Sequence, residues 1–325
     1  MANQQAISVQ RYKHTLKRAF TRLWGPNYVP FQTATIGAAP SDPIPGDVFS
    51  VLLQRRLHRM SRAEKPYIAL ALYHPRLFDL KDQFAMDMEG APHLLAGHPK
   101  ADGLLLPGTT GTLEVADRLR LIRSHPRIGV KEDSAAKASM WPWPLFGDLL
   151  LFLTDEQGPY CIDWDVKRHA GEHGKPGPGS FFERESSGVM AGAEARWLIH
   201  LEYMREHVIR VVPVAFEQLD TILVHNLQRL LKIHSQPVEL GATCCGDVLG
   251  AFQRALASGQ PPNEVIDALA RQKIDPDQAF RVLHHAIWYR HLRVDLYQPL
   301  VVDRPLEPQV RDPLVELAHL FRRAD

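Results

Sequence analysis

Gly147–Lys167 reads GDLLLFLTDEQGPYCIDWDVK, and its pattern decides how the rest of the chain is organised. Leu149–Leu153 is a short apolar run, and Thr154–Pro159 carries turn chemistry in Asp155, Glu156, Gly158 and Pro159. Tyr160–Lys167 then alternates strictly, so the spacing predicts two strands joined by a turn. On the second strand, Tyr160, Ile162, Trp164 and Val166 share a face that can pack on a core. Cys161, Asp163, Asp165 and Lys167 share the other face, with Asp148 at the head of the first strand. Acids followed by a lysine two residues on suit metal-assisted phosphodiester cleavage, in which the acids hold Mg²⁺ and the lysine positions or deprotonates the water. An edge strand with one solvated, charged face is the competing explanation of the same alternation.

Outward from this stretch, 325 residues give room for about two domains and a full core. Apolar residues make up 45% and charged residues 23%, which fits a globular chain. Lys plus Arg is 38 against 37 for Asp plus Glu, so net charge does not point to a polyanionic partner. The distribution says more: Arg11, Lys13, Lys17, Arg18 and Arg22 fall in residues 1–41 without a single acid. Arg55, Arg56, Arg59, Arg62 and Lys65 follow, against Glu64 alone. Such clusters suit either phosphate contact or an ordinary solvated face; Lys17, Arg18, Arg55, Arg56 and Arg59 are the DNA-binding candidates. Three cysteines without a CxxC pair argue for a reducing compartment and against structural zinc. The start lacks an apolar leader and no window approaches the ~18 apolar residues of a membrane span. The expectation is a soluble, cytoplasmic bacterial protein.

In chain order, residues 1–24 predict a basic amphipathic helix stopped by Gly25-Pro26, followed by an extended arm over 27–46. Val48–Met60 is compatible with strand or helix. Ser61-Arg-Ala-Glu64 resembles a capping box, and Pro66 places the helix start near Lys65. Leu77–Met86 reads as a strand whose Lys81 and Asp82 form a solvated end. Residues 87–113 read as loop with a hairpin near Gly108–Gly111, and Val115–Ser124 as a helix. A flexible loop follows Lys167, then a helix over Ala193–His207 and a buried strand over Val208–Phe216. The order of strands and helix predicts an α/β core. Beyond 217 helices are expected at 217–234, 244–258, 262–271 and 275–286, with a β-ribbon or wing at 293–306. His93 and His98, His169 and His173, and His284-His285 are chance pairings among 16 histidines. Gly108–Gly111 lacks the Gly-Lys-Ser/Thr ending of a phosphate loop.

Together these residues resemble the TnsA family, the endonuclease subunit of heteromeric Tn-type transposases. The match runs through GPNYVPF (25–31), HRMSRAEKPYIALALYHPRLFDLKDQF (58–84), the 147–167 stretch and the helix–strand pair at 193–216. The resemblance implies a restriction-endonuclease-like catalytic domain over 47–217, preceded by a basic segment and arm (1–46). A helical, winged-helix-like domain over 218–325 would follow. Carried over by position, Glu64, Asp148, Asp165 and Lys167 would be the catalytic set, with Asp165 preferred to Asp163 because it keeps the acid–x–Lys register. Glu64, Asp148, Asp165 and the backbone carbonyl of Val166 would hold Mg²⁺, with Mn²⁺ able to substitute. The implied activity is cleavage of the 5′ ends of a mobile element. The implied partners are transposon-end DNA, a DDE transposase subunit (TnsB-like) and an AAA+ ATPase regulator (TnsC-like). Two alternatives stand beside it: a nuclease-degenerate assembly subunit, and a free-standing repair or restriction nuclease.

Overall fold

Local chemistry sets the elements that carry the candidate residues. The computed structural model describes residues 6–34, 46–132, 137–175 and 192–324. Most of the arm expected over 27–46 and of the loop after Lys167 lies outside them. The chain divides into two compact units, one built from residues 1–64, 76–216 and 323–325, the other from 65–75 and 217–322.

The first unit centres on a four-stranded mixed sheet of β4 (Leu77–Ala85), β7 (Phe146–Asp155), β8 (Gly158–Lys167) and β9 (Arg210–Ala215), in that order. β4 and β8 run antiparallel to β7, and β9 runs parallel to β8. The β7–β8 hairpin turns over two residues, and Gly158 opens β8 at φ +106°, a conformation that L side chains rarely adopt. β8 is an interior strand. Its polar face is covered by α4, which removes the solvated-edge explanation: Cys161, Asp163 and Asp165 are buried alongside Ile162, Trp164 and Val166.

The crossover from β8 to β9 runs through α4 (Gly192–Glu206). Ile199, Tyr203 and Met204 of α4 share a core with Leu150, Phe152 and Cys161 of the sheet and with Val115 and Ala116 of α3 (Thr112–Arg118). The helix expected over 115–124 thus starts earlier and stops at Arg118, with a 3₁₀ turn at Ile122–Ser124. α1 (Val9–Ala19) starts on a Ser8 cap and ends well short of Gly25-Pro26, which form a separate 3₁₀ turn with Asn27. Val48–Met60 resolves into a hairpin of β2 (Gly46–Ser50) and β3 (Arg55–Arg59). A further sheet joins β1 (Ile7–Ser8), β5 (Arg127–Lys131) and β6 (Ser139–Pro142).

α2 (Glu64–Tyr73) starts where Pro66 can occupy its first turn, a position whose N–H has no helical partner to lose. Residues 65–75 group with the helices of the second unit. There α5 (Thr221–His234), α6 (Ala242–Ser258), α7 (Pro262–Arg271) and α8 (Pro276–Trp288) pack with α8 at the centre. Asp220 and Asp275 cap α5 and α8 through their carboxylates, and α6 stops at Gly259 in the left-handed region. A short α9 (Pro313–Glu316) follows. The ribbon expected over 293–306 is reduced to one bridge, Val294 with Pro308. Pro299, Pro305 and Pro308 lack the N–H groups that a ladder needs. Among the described residues, no helix is long and apolar enough to cross a membrane.

Candidate active site

The ends of β7 and β8 deliver three of the expected groups to one place. Regular β7–β8 pairing runs down to Leu149 opposite Trp164. Beyond it the Asp148 carboxylate takes over: Oδ2 accepts the Val166 N–H at 2.8 Å. Lys167 Nζ donates to Asp165 Oδ1 at 2.7 Å and to Asp148 Oδ2 at 3.3 Å, so the ammonium bridges the two acids. His173, on the turn after β8, lies with Nδ1 2.5 Å from Asp165 Oδ2.

Glu64 comes from the first turn of α2 and is 3% exposed. It reaches back toward the preceding loop: Oε2 accepts the Met60 N–H at 3.0 Å and Oε1 accepts the Ser61 hydroxyl at 2.8 Å. Burial pushes its carboxyl up to about 8, with the charge of Asp148 adding to the rise. Burial also raises Asp148, against the pull of Lys167 and with repulsion from Asp165. Asp165 ends on the other side. Burial opposes its charge, but Lys167 and the His173 hydrogen bond outweigh burial and hold it below the usual carboxylate range. Burial likewise opposes the charge of Lys167, and Asp148 and Asp165 together hold its ammonium above the normal value. Lys167 and Asp148 therefore link Asp165 electrostatically to Glu64, which with its carboxyl near 8 is mainly protonated at neutral pH, while burial disfavours the charge of Asp148.

Hard carboxylate oxygens are what Mg²⁺ takes, and a cation would favour the ionised form of two acids that burial and repulsion raise, so the donor set fits that ion in kind. Among the described residues, however, no three His, Cys, Asp or Glu side chains are gathered as a metal would gather them. Lys167 lies where Asp148 and Asp165 converge.

Asp163 has a partner of its own. It is fully buried and pairs with His200 of α4, whose Nε2 lies 2.5 Å from Oδ2. Burial opposes the charge of His200, and Asp163 nevertheless holds its imidazole above the usual value.

The basic candidates separate into two kinds. Arg55 is withdrawn from any phosphate: Nη1 bonds Asp82 Oδ1 at 2.6 Å and its side chain is 6% exposed. Arg56 is exposed and pairs with Asp47, and Arg59 is half-buried and donates to the Ser61 carbonyl. Lys17 and Arg18 are exposed on α1, with Arg18 also reaching the Phe31 carbonyl. Lys81 and Asp82, expected at a solvated strand end, are 7% and 0% exposed. The Lys81 ammonium sits 3.7 Å from the Trp24 ring centroid, and burial lowers it to about 8. Asp82 accepts the His58 N–H in addition to Arg55.

Two residues of the site went unassigned in the sequence: His173, set aside there as a chance pairing, and Gln83. Gln83 of β4 donates from Nε2 to Glu64 Oε2 at 3.3 Å. The only trace in the sequence is a second polar residue following Asp82 inside an otherwise strand-like run. No family model matches the chain, and no curated protein matches it.

Proposed function

We propose that the chain is a metal-dependent DNA endonuclease with a restriction-endonuclease-like catalytic unit, acting as the 5′-cleaving subunit of a TnsA-type heteromeric transposase. The observation that carries this reading is the convergence of Asp148, Asp165 and Lys167 at the ends of β7 and β8, with the charge of Asp148 felt at Glu64. Within the first unit, the mixed sheet of β4, β7, β8 and β9 with α4 as the β8–β9 crossover, and α3, β5 and β6 inserted between β4 and β7, supports the fold assignment.

Glu64, Asp148, Asp165 and the Val166 carbonyl would hold Mg²⁺, or Mn²⁺ in its place. The chemistry such an ion supplies is polarisation of a phosphoryl oxygen and a more acidic bound water. The chain's own groups do the rest. His173 fixes the orientation of Asp165 through Oδ2. Lys167, held charged by two acids, donates to the scissile phosphate or orients the attacking water. Exposed Lys17, Arg18 and Arg56 neutralise backbone phosphates without reading sequence. Specificity for the transposon end then comes from a TnsB-like DDE subunit, and coupling to the target from a TnsC-like ATPase. The helical unit offers a surface for those contacts.

Mg²⁺-dependent nicking of a paired-end DNA substrate, with the partner transposase present, tests the proposal. Wild-type protein cuts the 5′ strand and Lys167→Ala does not, while both assemble on DNA; undiminished cutting by the variant refutes it. One observation favours a second reading, a nuclease-degenerate assembly subunit: the ammonium bridges the two strand acids, and no ready-made ligand group surrounds them among the described residues. Assembly on transposon ends without any metal-dependent nicking is its signature. Cutting of DNA by the chain alone would instead mark a free-standing nuclease.

A further inference from the structure

Gln83 holds a conformation that its position in a strand does not explain. Its φ is +47°, inside a nine-residue strand, and it is 1% exposed. A non-glycine residue in this region of φ is strained, and such strain persists where surrounding structure enforces it. The strand register runs on regardless: Lys81 pairs with Leu150 and Phe84 with Gly147, which sets Gln83 opposite Asp148. What changes is the side-chain phase. The Lys81 ammonium lies over the Phe152 ring, and Phe84, three residues on, joins the same core as Phe152. Simple alternation would put residues 81 and 84 on opposite faces. The inversion falls at Gln83 and turns its carboxamide to Glu64, where Nε2 donates to Oε2. The other end of the amide, Oε1, is buried with no hydrogen-bond partner. A buried acceptor left unpaired is uncommon in a folded protein and calls for a missing donor.

We infer that Gln83 is a positioning residue for Glu64, and that its unpaired carbonyl oxygen accepts a hydrogen bond from a water carried by the divalent cation. This rests on the metal-site reading above. Nε2 joins the Met60 N–H on Glu64 Oε2 and, with Ser61 on the other oxygen, fixes the carboxylate, while Gln83 Oε1 would supply an acceptor for the hydration shell that Mg²⁺ keeps. Outer partners of this kind set ligand orientation and tune affinity.

Gln83→Gly separates this role from packing, because glycine accepts φ +47° without strain while the carboxamide is lost. Mn²⁺ binding is titrated by electron paramagnetic resonance on the full chain without DNA, beside thermal unfolding in chelator. The expected result is an Mn²⁺ affinity about tenfold or more weaker in a variant that still unfolds cooperatively in chelator. Unchanged Mn²⁺ affinity in the variant overturns the role of Gln83 and leaves the metal site standing. A wild-type chain that binds no Mn²⁺ overturns both. A wild-type chain that binds Mn²⁺ through Gln83 yet never cuts DNA overturns the nuclease reading and keeps this one.

Discussion

Replacing Lys167 by methionine pulls stability and cation binding in opposite directions. The ammonium bonds Asp165 at 2.7 Å and Asp148 at 3.3 Å, with side-chain exposures of 29%, 19% and 11% for Lys167, Asp148 and Asp165. Removing one partner of a buried ion pair costs roughly 3–5 kcal/mol, because the other charges are left uncompensated. Partial exposure of all three groups favours the lower end, about 3 kcal/mol after screening. In a unit of this size each kcal/mol moves the midpoint by about 2–4 °C, so the metal-free variant should melt roughly 6–12 °C lower. Cation binding moves the other way. A unit positive charge held between the same two acids would repel each charge of a cation bound there by a few kcal/mol at an effective dielectric near 20. Without it, Mg²⁺ or Ca²⁺ should bind more tightly and restore more of the melting temperature than in wild type. The assay is differential scanning calorimetry with chelator and over a cation series. Equal midpoints in chelator, or an equal cation-induced shift, would remove Lys167 from between the two acids.

The remaining expectations concern neighbouring groups. Glu64 sits near 8 in the folded chain against about 4.3 for a free glutamate, so the folded state binds the extra proton between those values. Its contribution to metal-free stability is intact below about pH 4.3 and is lost as pH rises through about 8; Glu64→Gln should flatten that fall, and parallel urea-midpoint profiles for both proteins would contradict it. Asp82→Ala strands the buried Arg55 guanidinium and should cost about 3–5 kcal/mol in urea unfolding. A cost under about 1 kcal/mol would mean that the pair is solvated. Arg56→Ala and Lys17→Ala should each lower the salt dependence of DNA binding by about one unit of slope, without changing sequence preference. An unaltered slope would take those two residues off the DNA.

Much of the sheet was legible because its strands are short runs with a clear period. β7 and β8 announce themselves through an apolar run, a turn and an alternation, and α2 through a proline that only a first turn accommodates. The β2–β3 hairpin was not legible. Val48–Met60 mixes apolar and basic residues in a way that helix and strand share, and only pairing with Asp82 and burial of Leu57 resolve it. The wing failed for the opposite reason, since a strand-like composition was read past its prolines.

The candidate site divides along the same line. Asp148, Asp165 and Lys167 were readable because two adjacent strands bring close what the sequence already spaces regularly. Lys81, Asp82 and Gln83 were not, because a polar residue in a strand defaults to solvent unless its partner is known. Their partners come from other parts of the chain: Trp24 for Lys81, Arg55 and His58 for Asp82, Glu64 for Gln83. Burying three consecutive polar side chains is unfavourable unless each finds a partner. Asp82 is met by Arg55 and His58, and Lys81 by the Trp24 ring, although burial still pulls its ammonium down to about 8. Gln83 adds a strained backbone and an unpaired oxygen, two costs that packing could have avoided with glycine or an apolar residue. That surplus cost sets Gln83 apart from its two neighbours and ties it to the chemistry beside Glu64.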